Sequence, residues 1–139
     1  MVATIGAIAA SGAMLILLVE DNSVTQTVIE EFLRGDGHRV DVVGDGQAAV
    51  DALLAVRYDL VLMDMHMPVM DGHAATHLIR AIGTDSADVP IVALTGGDNE
   101  SGIQACLAAG MNDVVPKPVD WEVLRAVIGR LVPSPVARD

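Results

Sequence analysis

Leu60-Val61-Leu62-Met63-Asp64, four apolar residues closed by a carboxylate, is the stretch that most limits what this chain can become. A short apolar run ended by turn chemistry suits a strand buried on both faces of a parallel sheet. Met67-Pro68 and Asp71-Gly72 then force a loop. Ligands of open α/β sheets bind outside the carboxyl ends of the strands. Asp64 therefore stands where such a sheet does its chemistry.

The rest of the chain supplies the sheet's other parts. Met14 to Val19 reads as a first strand stopped by Glu20-Asp21-Asn22. Asn22 or Ser23 then caps a helix over about Ser23–Arg34, with Val24, Val28, Ile29, Phe32 and Leu33 as its apolar stripe. His38–Val43 alternates polar and apolar, as a half-exposed edge strand does. A helix near Gln47–Val56 turns Ala49, Ala52, Leu53 and Val56 inward. After the central strand, a helix near His73–Ile82 presents Ala75, Leu78, Ile79 and Ile82 to the core, and Gly83 to Asp88 is a polar loop. Pro90–Thr95 is a fourth strand, and a helix at about Asn99–Ala109 ends on Gly110, a residue suited to the left-handed C′ position. Asn112–Val115 is a short fifth strand running into Pro116-Lys117-Pro118. The last helix, about Trp121–Leu131, buries Val123, Leu124, Val127 and Ile128. Five strands alternating with five helices predict a three-layer α/β fold with a five-stranded parallel sheet and helices on both faces.

Composition narrows the function classes. The 139 residues fit one domain, and a hydrophobic share of 52% excludes a disordered chain. A net charge of −11 opposes direct contact with nucleic acid, and Phe32, Tyr58 and Trp121 are too few to stack bases. The single cysteine, Cys106, forms no intramolecular disulfide and fits a reducing, cytoplasmic compartment. Met1 to Val19 carries no charged side chain, but Thr4, Gly6, Ser11 and Gly12 dilute it and no Lys or Arg flanks it. It reads as a leader or linker over residues 1–13, poorly ordered, running into a core strand; membrane insertion is not expected. Residues 14–132 form the domain and 133–139 a tail.

The strand ends hold a short set of groups: Glu20 and Asp21 after the first, Asp64 after the third, Thr95 after the fourth and Lys117 after the fifth. If the first strand is central, the three acids share one crevice. Two carboxylates about 4 Å apart repel by about 4 kcal/mol at an effective dielectric near 20. Three require a cation or must take up protons. Oxygen donors without clustered cysteine or histidine select a hard ion, and a shallow, partly hydrated site suits Mg²⁺. Thr95 offers a hydrogen bond and Lys117 a fixed positive charge. With a metal, they can neutralise the equatorial oxygens of a transferred phosphoryl group, which makes Asp64 a candidate nucleophile.

From about Met14 to Val132 the chain resembles a response-regulator receiver domain. The resemblance is carried by Leu18-Val19-Glu20-Asp21-Asn22, by the loop Met63-Asp64-Met65-His66-Met67-Pro68-Val69-Met70-Asp71-Gly72, and by Leu94-Thr95, Ala109-Gly110 and Lys117-Pro118. That loop and the context of Gln26 are closest in style to receivers of hybrid histidine kinases. The resemblance implies the strand order 2-1-3-4-5 of flavodoxin-like folds. It implies that Asp64 takes a phosphoryl group from a phosphohistidine of a histidine kinase or histidine phosphotransfer protein. Mg²⁺ would be held by Asp21, Asp64 and the backbone carbonyl of His66, with Glu20 helping through water. Thr95 and Lys117 would bind the phosphoryl oxygens, and Lys117–Pro118 is commonly a cis peptide in the family. The family often forms homodimers through its fourth and fifth helices. Such a chain is a phosphorelay switch rather than a metabolic enzyme, working alone or as part of a larger hybrid protein.

One departure stands out. The family's aromatic switch position, three residues before the lysine, holds Val114 here. Output cannot run through a swinging ring, which keeps a pseudo-receiver, acting only as a protein-interaction module, as the alternative reading. An Asp-based phosphatase of the haloacid-dehalogenase type fits less well. That class places a second Asp two residues after its nucleophile, where this chain has His66. At that position His66 is placed to gate attacking water. His73 and His77 have helical i, i+4 spacing but no third ligand, so a solvated face is expected. Cys106 reads as a small core residue, and Trp121 as packing at the start of the last helix.

Overall fold

The computed structural model describes residues 13–67, 70–96 and 100–135. The expected leader (but for its last residue), Pro68, Gly97, Asn99 and most of the tail lie outside the described residues. The elements follow in strict alternation: β1 (Leu15–Val19), α1 (Ser23–Gly35), β2 (Arg39–Val43), α2 (Gly46–Ala55), β3 (Leu60–Asp64), α3 (Gly72–Arg80), β4 (Ile91–Thr95), α4 (Glu100–Ala108), β5 (Asp113–Pro116) and α5 (Trp121–Leu131). The loop before β4 is not wholly irregular: Asp85–Asp88 makes a 3-10 turn begun by the Thr84 side chain.

All five strands are parallel, in the order β2-β1-β3-β4-β5. Period-2 alternation splits each inner strand between two cores. Leu15, Leu17 and Val19 join Val61, Met63, Ile91 and Ala93 beneath α2, α3 and α4. Ile16 and Leu18 join Leu60, Leu62, Val92 and Leu94 beneath α1 and α5. Every residue of β1, β3 and β4 is buried. At about 1.5–3 kcal/mol for each large apolar side chain buried, this double-sided burial fixes the register. The edge strand β2 buries Val40 and exposes Arg39 and Asp41, as its alternation predicts.

Helix starts are set by side chains that accept otherwise unpaired N–H groups. Asn22 caps α1 through the Thr25 N–H, Asp45 caps α2 through that of Ala48, and Asp71 caps α3 through that of Ala74. Asp120 caps α5. Gly110 closes the α4–β5 turn with φ +110°, the conformation expected of a C′ glycine.

The apolar stripes are narrower than the sequence suggests. Val24 is 71% exposed, and Val28, Val56, Leu78 and Val123 are also exposed. Each helix lies on only one face of the sheet, so only part of its apolar surface meets the core, as Ile29 and Leu33 do on α1. Cys106 is buried, 3.9 Å from His73 Nε2, while His77 is exposed. Trp121 packs as expected, stacked on Phe32 at 4.3 Å between ring centroids. Among the described residues no helix is long and apolar enough to cross a membrane.

Candidate acidic site at the carboxyl ends of the strands

Parallel pairing brings the ends of β1, β3, β4 and β5 to one edge. Val19 pairs with Met63, Asp64 with Leu94 and Thr95 with Pro116. The chain leaves each strand at this level, and the three acids gather there. One carboxylate oxygen from each of Glu20, Asp21 and Asp64 lies within 4.8 Å of the other two. Glu20 is 1% exposed and Asp64 2% exposed, whereas Asp21 faces solvent.

Lys117 closes the group. Its Nζ lies 2.8 Å from Glu20 Oε1 and 3.1 Å from Asp64 Oδ1. The Lys117 backbone N–H donates to the Thr95 carbonyl, so the end of β4 positions the lysine. Lys117–Pro118 is cis. Thr95 is buried and joins the site through this main-chain bond. The structure thus brings together Glu20, Asp21, Asp64 and Lys117 directly, with Thr95 on the adjoining strand end.

His66 meets Asp64 through its main chain. Its backbone N–H donates to Asp64 Oδ1 at 3.1 Å, and its side chain is exposed. Two further contacts escaped sequence reasoning. The Asn22 N–H donates to Glu20 Oε2 at 3.2 Å, and the Gln26 side-chain amide donates to the Glu20 carbonyl. Asn22 is legible as a helix cap, but no spacing rule predicts that its own amide holds the preceding acid.

These contacts separate the two buried acids. Burial pushes the Glu20 carboxyl up, and its neighbour Asp64 adds to the rise, against the pull of Lys117 and the Asn22 amide. Burial also pushes Asp64 up, yet the His66 amide, Glu20 and Lys117 together hold it below the usual carboxylate range. Burial opposes the charge on Lys117, but Glu20 and Asp64 outweigh it and raise the ammonium. Of the two buried acids, Asp64 is therefore the one that holds its charge more firmly, and Glu20 the one that takes up a proton first.

The family model of the response regulator receiver domain matches residues 16–129. The chain belongs to the response-regulator receiver family. The receiver of the sensor histidine kinase PA1611 from Pseudomonas aeruginosa, solved with magnesium coordinated in its active-site cleft, is 46% identical with a TM-score of 0.81. That match covers 88% of this chain and 100% of that one. The two-component response regulator ORR41 of Oryza sativa subsp. japonica is 39% identical over 119 residues, 83% of this receiver and 91% of that protein. The transcription factor SKN7 of Saccharomyces cerevisiae is 40% identical over 115 residues, 83% of this chain. This receiver spans only 18% of SKN7 and 5% of hybrid signal transduction histidine kinase M of Dictyostelium discoideum. A co-crystal structure of the Saccharomyces cerevisiae histidine phosphotransfer protein Ypd1 with the receiver domain of Ssk1 matches at 28% identity and TM-score 0.79. It covers 87% of this receiver and 90% of the matched chain. The receiver fold and its place in two-component signalling thus rest on sequence and architecture together.

Proposed function

We propose that this receiver takes a phosphoryl group onto Asp64 from a phosphohistidine of a histidine kinase or histidine phosphotransfer protein. The observation that carries the reading is Asp64 itself. It is a buried carboxylate kept ionised by the His66 amide and the Lys117 ammonium, beside two further acids. The donor set fits a hard divalent ion, being all oxygen, doubly or triply anionic and open to solvent on the Asp21 side. Asp21 and Asp64, with the His66 carbonyl, would hold Mg²⁺, and Glu20 would assist through water. When bound, the ion supplies charge neutralisation at the phosphoryl oxygens.

The chain's own residues do the remaining work. An Asp64 carboxylate oxygen forms the new P–O bond as the P–N bond to the donor imidazole breaks. The electron pair of that bond stays on the imidazole nitrogen. Lys117 turns from its pairing with Asp64 to the incoming phosphoryl oxygens, and the Thr95 hydroxyl donates to another. Preorganised donors aimed at developing charge are the main catalytic resource of such a transfer. The product is an acyl phosphate on Asp64, and the role is that of a switch in a cytoplasmic relay. The receiver occupies residues 14–132, with 1–13 and 133–139 as flanking segments.

Intact mass after incubation with Mg²⁺ and a small phosphoramidate tests this reading. One phosphoryl group should add to the wild type and none to Asp64→Asn. Absence of an adduct on the wild type would leave the interaction-module reading. Rapid multiple turnover of the donor would mark a phosphatase instead.

A further inference from the structure

Glu20 is held on every side. Its N–H donates to the Val43 carbonyl of β2 at 3.1 Å, Oε2 accepts the Asn22 N–H, and Oε1 accepts Lys117 Nζ. The remaining group, its backbone carbonyl, accepts from the Gln26 side-chain amide one turn into α1. That carbonyl belongs to the peptide plane joining Glu20 to Asp21. Rotation about the Glu20 Cα–C bond would carry that carbonyl and the Asp21 Cα together, and with them a carboxylate that is exposed and must meet those of Glu20 and Asp64.

The helix does not need this side chain. The Gln26 N–H already bonds the Asn22 carbonyl at 2.9 Å, and the Asn22 side chain caps the first turn through the Thr25 N–H at 3.0 Å. The half-buried side-chain amide of Gln26 is therefore spent on the turn that carries the acids, not on starting α1.

We propose that Gln26 is a positioning residue for metal binding at this site. It fixes the Glu20–Asp21 peptide plane and so aims the Asp21 carboxylate at the metal position between Asp21 and Asp64. The inference rests on the metal-site reading given above. Partners one shell out from a ligand commonly set metal affinity without touching the ion, and their loss costs about 10–100-fold.

Gln26→Met keeps the volume and removes the donor. Titration of the full chain with Mg²⁺ alone, followed by calorimetry, should give an affinity about tenfold weaker than wild type. The thermal midpoint of the metal-free variant should stay at the wild-type value, since no helix bond is lost. Adduct formation should need about tenfold more Mg²⁺ for half its maximal rate, while the rate at saturating Mg²⁺ stays at the wild-type level. An unchanged Mg²⁺ affinity, with Asp21→Asn losing binding in the same assay, would overturn the role of Gln26 and leave the metal site standing. If neither variant alters Mg²⁺ affinity, the metal site and this inference fall together. A lower rate at saturating Mg²⁺ with a lowered metal-free midpoint would mark Gln26 as a fold residue and also overturn the proposal.

Discussion

Lys117 Nζ lies 3.1 Å from Asp64 Oδ1 across 53 residues of chain. No local pattern could set that distance, because it depends on β3 and β5 flanking β4 in one sheet. The same ammonium lies 2.8 Å from Glu20 Oε1, so one cation balances two buried acids from different strands. Removing one partner of such a buried arrangement leaves charge uncompensated.

Lys117→Ala should therefore slow aspartyl-phosphate formation by about 10²-fold or more. The time course of the mass adduct at saturating Mg²⁺ reads this directly. A rate equal to wild type would show that the lysine serves only to pair the acids.

Gly72 begins α3 directly against the end of β3. A Cβ built there would lie 2.9 Å from the Asp64 carbonyl oxygen and 2.6 Å from Met65 Sδ. The sulfur sits on a flexible side chain, but the carbonyl belongs to the backbone of β3. Gly72→Ala should destabilise the fold by about 1–3 kcal/mol and reduce adduct formation. Urea unfolding checks the first effect, and a midpoint within error of wild type would contradict the close approach.

His38 predicts a pH dependence at the opposite end of the sheet. Its Nδ1 accepts the Met14 N–H at 3.2 Å, a bond that requires the neutral ring. Burial pushes the ring's pKa down, although Asp36 and Asp59 pull it up. The unfolded histidine protonates near 6.5, so just below that pH the unfolded chain binds more protons than the native one. Stability then rises with pH. The contribution is complete above the unfolded value and is lost as pH falls through the lower native one. Between about pH 7 and about pH 5 the thermal midpoint of wild type should fall more steeply than that of His38→Gln. Parallel curves would remove His38 from the account.

His66 touches Asp64 through its amide, which His66→Ala retains, while its side chain is exposed two residues after the proposed acceptor. The variant should form the adduct normally but lose it several-fold faster, because water reaches the acyl phosphate unhindered. Following adduct decay by mass after donor removal measures this. An unchanged lifetime would make His66 only a loop residue.

Particular residues show where sequence was enough. Asp64 closing an apolar run, Glu20-Asp21 after another, and Gly110 after a helical stretch carry their meaning locally. Burial on both faces demands unbroken apolar runs, and a strand's end is where polar groups can resume. The helices were less legible. Val24, Val28 and Leu78 fall on apolar spacing yet face solvent, since periodicity gives the direction of a stripe and not the width of what covers it.

By itself, then, the sequence determined the order of elements, the two-sided sheet and which acids, hydroxyl and ammonium end the strands, because these depend on residue type and near neighbours. Only the tertiary structure decided that Lys117 joins Glu20 to Asp64, that the His66 amide donates to the Asp64 carboxylate, and that the Gln26 side chain donates to the Glu20 carbonyl. Hydrogen bonds and ion pairs act over about 3 Å. Whether groups many residues apart come that close is fixed by register and turn geometry, which no run of residues encodes alone.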